Sequence, residues 1–183
     1  EYAKQFNVSV EAELGALAGT EDDISHDKSV FTNPDEAKKF IELTGCDSLA
    51  ISIGTSHGAY KGAAGTELKF DLLQQIHDAI PGVPLVLHGA SSVPTELVEQ
   101  INKYGGKLSD ATGIPAEQLI RARTMGIAKI NVDSDARLAF TAAVRKYLHD
   151  NPEEFDPRKY IGAARDAMTE MYIKKNTEVM GNG

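Results

Sequence analysis

Four short runs rich in valine, isoleucine and leucine recur along the chain, and each leads through a loop into a helix-like stretch. The runs are Val8–Leu14, Asp47–Ile53, Val83–Leu87 and Ile127–Val132. Between and after them lie segments with apolar residues at helical spacing: Pro34–Thr44, Leu68–Ile80, Pro94–Tyr104, Pro115–Met125, Asp135–His149 and Pro157–Met180. Breakers separate the two kinds of segment. Asn33-Pro34 supplies a helix cap and a first-turn proline, and Gly45, Pro81-Gly82, Gly105-Gly106 and Gly126 supply stops. Strands that alternate with crossover helices form parallel α/β sheets, because a parallel pair needs a connection long enough to return to the same end. An open doubly wound sheet and a closed (β/α)8 TIM barrel both satisfy this pattern.

The barrel is favoured by where the chemistry falls. His57, His88 and the turn Asn131-Val132-Asp133-Ser134 each follow the C-terminal end of one of these strands. Barrels collect their active sites from strand ends in this way. Four strands are half of such a barrel, and the first residues run straight into strand-like sequence with no starting methionine. The expectation is therefore a C-terminal half-barrel, residues 1–183 being part of one domain.

Bulk properties narrow the function. The net charge of −8 argues against a nucleic-acid surface, which needs a basic face. No apolar run approaches the ~18 residues of a membrane span. The single cysteine, Cys46, excludes an internal disulfide framework and fits a reducing cytoplasm.

Two strand–His–Gly units, Ile51–Gly58 and Leu85–Gly89, raise the possibility that His57 and His88 share an ion. Zinc accepts imidazole nitrogen, and a catalytic zinc keeps about three protein ligands plus an open position. Two histidines leave that set short. Glycines and hydroxyls after the same strands suggest an anion cradle, since a Cβ-free backbone turns N–H groups toward phosphate. Neither GxxxxGK[ST] nor GxGxxG occurs, which disfavours a nucleotide loop. The segment Gly15–Lys28 reads as a mobile acidic loop able to carry a carboxylate over a site. Lys129 is the one lysine on a predicted strand, and so the one candidate for Schiff-base chemistry. His26, His77, His149 and Cys46 read as surface or packing residues.

The blocks VSVEAELGALAGTEDD, GTSHGAYKG, LVLHGASS and KINVDSDARLAF together resemble the class II, zinc-dependent fructose-bisphosphate aldolases, in that family's order. They are most similar to the branch that also holds the tagatose-bisphosphate aldolases. The resemblance implies a (β/α)8 barrel, a homodimer or higher oligomer, a phosphosugar substrate, Zn2+, and a monovalent cation (Na+ or K+) at the phosphate. It implies that His57 and His88 are two zinc ligands and that Glu13 serves a second or alternative metal position. Glu21 corresponds to a proton-transferring acid of the loop. Gly58, Lys61, Gly89, Ala90, Ser91, Asn131, Val132 and Ser134 correspond to residues around the dihydroxyacetone phosphate end. Asp133 falls where fructose-specific members keep an acid, and Arg137 where an arginine reaches the second phosphate.

The family's third zinc histidine and adjacent catalytic aspartate belong to an earlier segment, and no Asp-His pair precedes Glu13. By that comparison about four strands, on the order of 120 residues, are missing, and a separate chain could carry them. Three readings result: a fructose-bisphosphate aldolase, a tagatose-bisphosphate aldolase, and a non-catalytic barrel subunit that binds phosphosugar.

Overall fold

A computed structural model describes residues 1–17, 19–21, 24–26, 30–60 and 67–182, without the side chains of 19–21 and 24–26. The four expected strands form one parallel sheet. They are β1 (Glu11–Leu14), β4 (Ser48–Ile51), β5 (Leu85–Leu87) and β6 (Ile127–Ile130), in the order β1-β4-β5-β6. Each is shorter than its apolar run, which begins before the ladder at β1 and β5 and continues past it at β4 and β6. Part of the segment read as a loop forms a small antiparallel pair, β2 (Gly19–Glu21) with β3 (Ile24–His26). A local hairpin satisfies backbone donors and acceptors that an irregular loop leaves to water.

Helices follow the strands: α1 (Pro34–Thr44), α2 (Phe70–Ala79), α3 (Thr95–Lys103), α4 (Ala116–Thr124), α5 (Ser134–Asp150) and α6 (Pro157–Lys174). The start of α1 is dictated locally. Asn33 Oδ1 accepts from the N–H groups of Asp35 and Glu36 at 2.9 and 3.1 Å, and Pro34 occupies the first turn. Gly45 ends it at φ 58°, where a side chain would be strained. The last helix does not run through Met180 as its periodicity suggests. It gives way at Lys175 to a wider π turn, Lys175–Val179, which buries Val179 in the core.

Register explains why the sheet has two unlike faces. Ala12, Leu49, Leu85 and Ile127 stand in one cross-strand row; the last three are buried in the main core with Leu73, Ile76 and Leu119 from the helices, and Ala12 is partly buried against it. Full burial of such a side chain contributes about 1.5–3 kcal/mol, so this layer anchors the fold. The adjacent row is Glu13, Ala50, Val86 and Lys129. Strand side chains alternate in direction, so Glu13, Ala50 and Val86 face the other side of the sheet, and a register irregularity between Leu85 and Val86 sets Lys129, two residues after Ile127, beside Val86. The middle members of the row are small and its ends are charged. On a flat sheet β1 and β6 would lie about 14 Å apart. Side chains from these outer strands nonetheless meet: Lys129 Nζ stands 2.7 Å from Glu11 Oε2. The polar faces of the outer strands lean toward each other, as they do on the inside of a curled sheet.

Candidate active site

The polar face converges on His88, the first residue after β5. Its Nδ1 lies 3.0 Å from Glu13 Oε2 and its Nε2 2.9 Å from Glu11 Oε1. The ring is largely sheltered, with a side-chain exposure of 16%. Ionised carboxylates only accept, so both contacts form together only when both ring nitrogens carry protons or a carboxyl does. Partial burial pushes the Glu11 carboxyl up. The hydrogen bonds and charges of Lys129 and His88 outweigh that effect and leave it below the usual carboxylate value.

The second histidine loop touches the first through backbone. A Cβ at Gly89 (φ 60°) would lie 2.6 Å from the Ser56 carbonyl oxygen and 3.2 Å from the His57 nitrogen. Only glycine lets the loop after β5 approach the loop after β4 this closely, which sets His57 and His88 on neighbouring strand ends. The loop after β6 joins them, since Asn131 N–H donates to the Leu87 carbonyl at 2.9 Å. Ser134 and Arg137 line a cavity of about 230 Å3 with Ala59, Lys107, Leu108 and Arg145, so the GTSHGAYKG and NVDSD loops share a wall.

The expected site residues fall unevenly. Glu13, His88, Gly89 and Ser91 lie together, Gly58 and Asn131 lie on the adjoining loops, and Ser134 opens α5. Ala90 is wholly buried in the core, backbone included. Val132 presents its carbonyl to the Tyr172 hydroxyl at 3.4 Å. Asp133 and Arg137 bond each other across one helical turn at 2.9 Å, both well exposed. Glu21 is on β2, and its side chain is outside the described residues, as is Lys61. Lys129 is no buried amine: 54% exposed and ion-paired with Glu11, it has the environment of a charged ammonium. In the sequence Glu11 stands two residues before Glu13, on the same strand face. Nothing in its local sequence indicates that it reaches His88.

Among the described residues, no three His, Cys, Asp or Glu side chains converge on one metal position. The donor set still suits a divalent ion in part. His57 and His88 stand on two touching loops, and a metal-bound histidine ordinarily gives its other ring nitrogen to a carboxylate, so an ion at one His88 nitrogen would replace one of Glu11 and Glu13 and leave the other to accept.

A parallel α/β sheet whose polar face brings strand carboxylates and a lysine to a histidine at a strand's C-terminal end has the arrangement of a barrel active site. The family described as fructose-bisphosphate aldolase class-II matches residues 1–183, and the chain belongs to that metal-dependent family. The fructose-bisphosphate aldolase of Treponema pallidum is 51% identical to it over 193 residues, covering 99% of the chain and 58% of the relative. That of Giardia intestinalis is 52% identical over 176 residues, covering 95% and 54%. That of Thermus caldophilus is 51% identical over 184 residues, covering 100% and 60%. Among solved structures, the YdjI aldolase from Escherichia coli K12 superposes with a TM-score of 0.69 at 28% identity, covering all of this chain and 52% of that one. The chain thus spans little more than half the length of these relatives, and its sheet is part of a TIM barrel. Among the described residues no helix is long and apolar enough to cross a membrane.

Proposed function

We propose that this chain is the C-terminal part of a cytoplasmic enzyme that reversibly cleaves fructose 1,6-bisphosphate to dihydroxyacetone phosphate and glyceraldehyde 3-phosphate. The observation that carries the reading is the His88–Glu11–Glu13 contact set beside Gly89, within a chain matched along its whole length to class II aldolases. His57 and His88 would hold a zinc ion, with a further ligand from outside this chain. An ion there supplies Lewis-acid stabilisation of the negative charge that develops when the carbon–carbon bond breaks.

The chain's own residues do the rest. When one His88 nitrogen takes the ion, Glu13 gives up its contact with the ring, and Glu11, kept ionised by Lys129, accepts from the other nitrogen and orients it. Gly58, Lys61, Gly89, Ser91, Asn131 and Ser134 bind the dihydroxyacetone phosphate end through backbone N–H groups and short polar side chains, with a monovalent cation offsetting the phosphate charge. Glu21, on the hairpin strand β2, exchanges the proton at C3. Arg137, released from Asp133, takes the second phosphate, and Asp133 then faces the sugar hydroxyls that distinguish fructose from tagatose. The working form is a homodimer or higher oligomer.

The test uses the intact subunit, coupled to a dehydrogenase that reports triose phosphate. Cleavage is expected to disappear on chelation, return with zinc, and fall together with bound zinc in His57→Ala and His88→Ala. Full zinc content and activity after both substitutions would refute the reading. Specific zinc and phosphosugar binding without turnover would instead favour a non-catalytic barrel subunit.

A further inference from the structure

The loop that follows His88 is held by a buried ion pair that the proposed chemistry does not use. Asp135, in the first turn of α5, is fully buried. Its Oδ1 accepts from the Val93 N–H at 2.7 Å and its Oδ2 from the Ser92 N–H at 3.0 Å. Lys175, the first residue of the C-terminal π turn, places Nζ 2.8 Å from Asp135 Oδ2 and donates to Ser92 Oγ at 2.6 Å. The other end of that turn is tied down too, because Arg123 donates to the Val179 carbonyl at 2.9 Å.

The clamp acts on a segment that is otherwise costly to hold. Val93 is β-branched yet adopts φ 51°, a conformation that persists only where its surroundings enforce it. From below, the Ile114 N–H donates to the Ser91 carbonyl at 3.0 Å, and a Cβ at Gly113 would lie 2.3 Å from the Ser92 carbonyl carbon. Gly89–Ser91 therefore has little freedom between strand β5 and this anchored point.

We infer that Asp135 and Lys175 are positioning residues that set the geometry of the Gly89–Ser91 phosphate cradle, so that the C-terminal turn controls phosphate-ester binding without touching the ligand. This rests on the phosphate role proposed for Gly89 and Ser91. It predicts a particular split: a cradle that grips ground state and transition state alike affects KM and leaves kcat nearly alone.

The experiment compares the intact wild-type enzyme with Lys175→Met, Lys175→Arg and Ser92→Ala, measuring KM and kcat for cleavage and the affinity for inorganic phosphate by calorimetry. Lys175→Met is expected to raise KM and the phosphate Kd about tenfold with kcat within about twofold, and Lys175→Arg to restore both in large part. Ser92→Ala removes one hydroxyl without leaving a buried charge. It remains informative if Lys175→Met does not fold, and is expected to shift KM and Kd in the same direction. Unchanged KM and Kd in the folded variants, with only a lowered Tm, would overturn the inference and leave the pair as a structural tie. Wild-type protein that binds phosphate but does not cleave the sugar would refute the aldolase reading alone, with the Kd shift still deciding the positioning role. Wild type that does neither would refute both.

Discussion

Substituting Gly89 by alanine probes the contact that brings the two histidine loops together. Two costs add. At φ 60° an L-residue occupies the left-handed region, which costs roughly 1–2 kcal/mol. The new methyl would also lie 2.6 Å from the Ser56 oxygen and 2.7 Å from its carbonyl carbon, where ordinary contact begins at 3.4 Å. Those atoms are backbone and cannot rotate away, so the loops must separate by about 0.8 Å. Over-packing of this kind adds about 1–3 kcal/mol, which gives a total loss of roughly 2–5 kcal/mol. A displacement near 1 Å at a reacting centre costs about 100-fold in rate. Gly58→Ala is the matched control: its φ is 85°, with nothing within 4 Å of the added methyl, so it carries the backbone cost alone. The measurements are Tm, bound zinc after gel filtration, and kcat/KM on the intact subunit. Gly89→Ala should lose more of each than Gly58→Ala. Equal losses in the two variants would show that the steric contact does not set the spacing of the loops.

Three further outcomes follow from other sites. Thr55 Oγ1 is buried with no hydrogen-bond partner among the described residues, so Thr55→Val should leave Tm unchanged or raise it, by up to about 1 kcal/mol of stability; a clear drop in Tm would show that the hydroxyl is satisfied. Asp156 caps α6 by accepting from the Arg158 N–H at 3.0 Å, and the Arg158 guanidinium and this N–H hold its carboxyl below the ordinary 3.8. The resulting stabilisation is present above the unfolded value and is lost as pH falls through the lower folded one, so Asp156→Asn should be less stable than wild type near pH 7, with the gap narrowing as pH falls below the ordinary aspartate range; a gap of constant size would exclude the charge. Asp133→Ala should change the ratio of cleavage rates on fructose and tagatose bisphosphates, and an unchanged ratio would reject Asp133 as the discriminator.

Much of this was legible in the sequence because it depends on short-range rules. Asn33, Pro34 and Gly45 delimit α1 as their chemistry requires, and the four apolar runs became the four parallel strands. What was not legible depends on contacts between distant residues. Asp135 looks like one polar residue in a polar turn, but the helix begins one residue earlier and buries it against the backbone of Ser92 and Val93. Lys175 lies on an apparently continuous helix, and the switch to a π turn brings it inward. Lys129 and Glu11 are strand residues of ordinary pattern, paired only because the sheet brings the polar faces of its outer strands together.

That last pairing has a kinetic consequence. Glu11 and Lys129 are separated by 118 residues, and Glu11 and His88 by 77. Loop closures of this size are entropically late events, and parallel pairings between distant segments form slowly. Helices such as α1 can nucleate within microseconds, but the imidazole of His88 stays without its carboxylates until the whole sheet has zipped up. On the metal role proposed for His88, acquisition of the ion would report the end of folding, and refolding followed by metal uptake should lag behind refolding followed by helical circular dichroism.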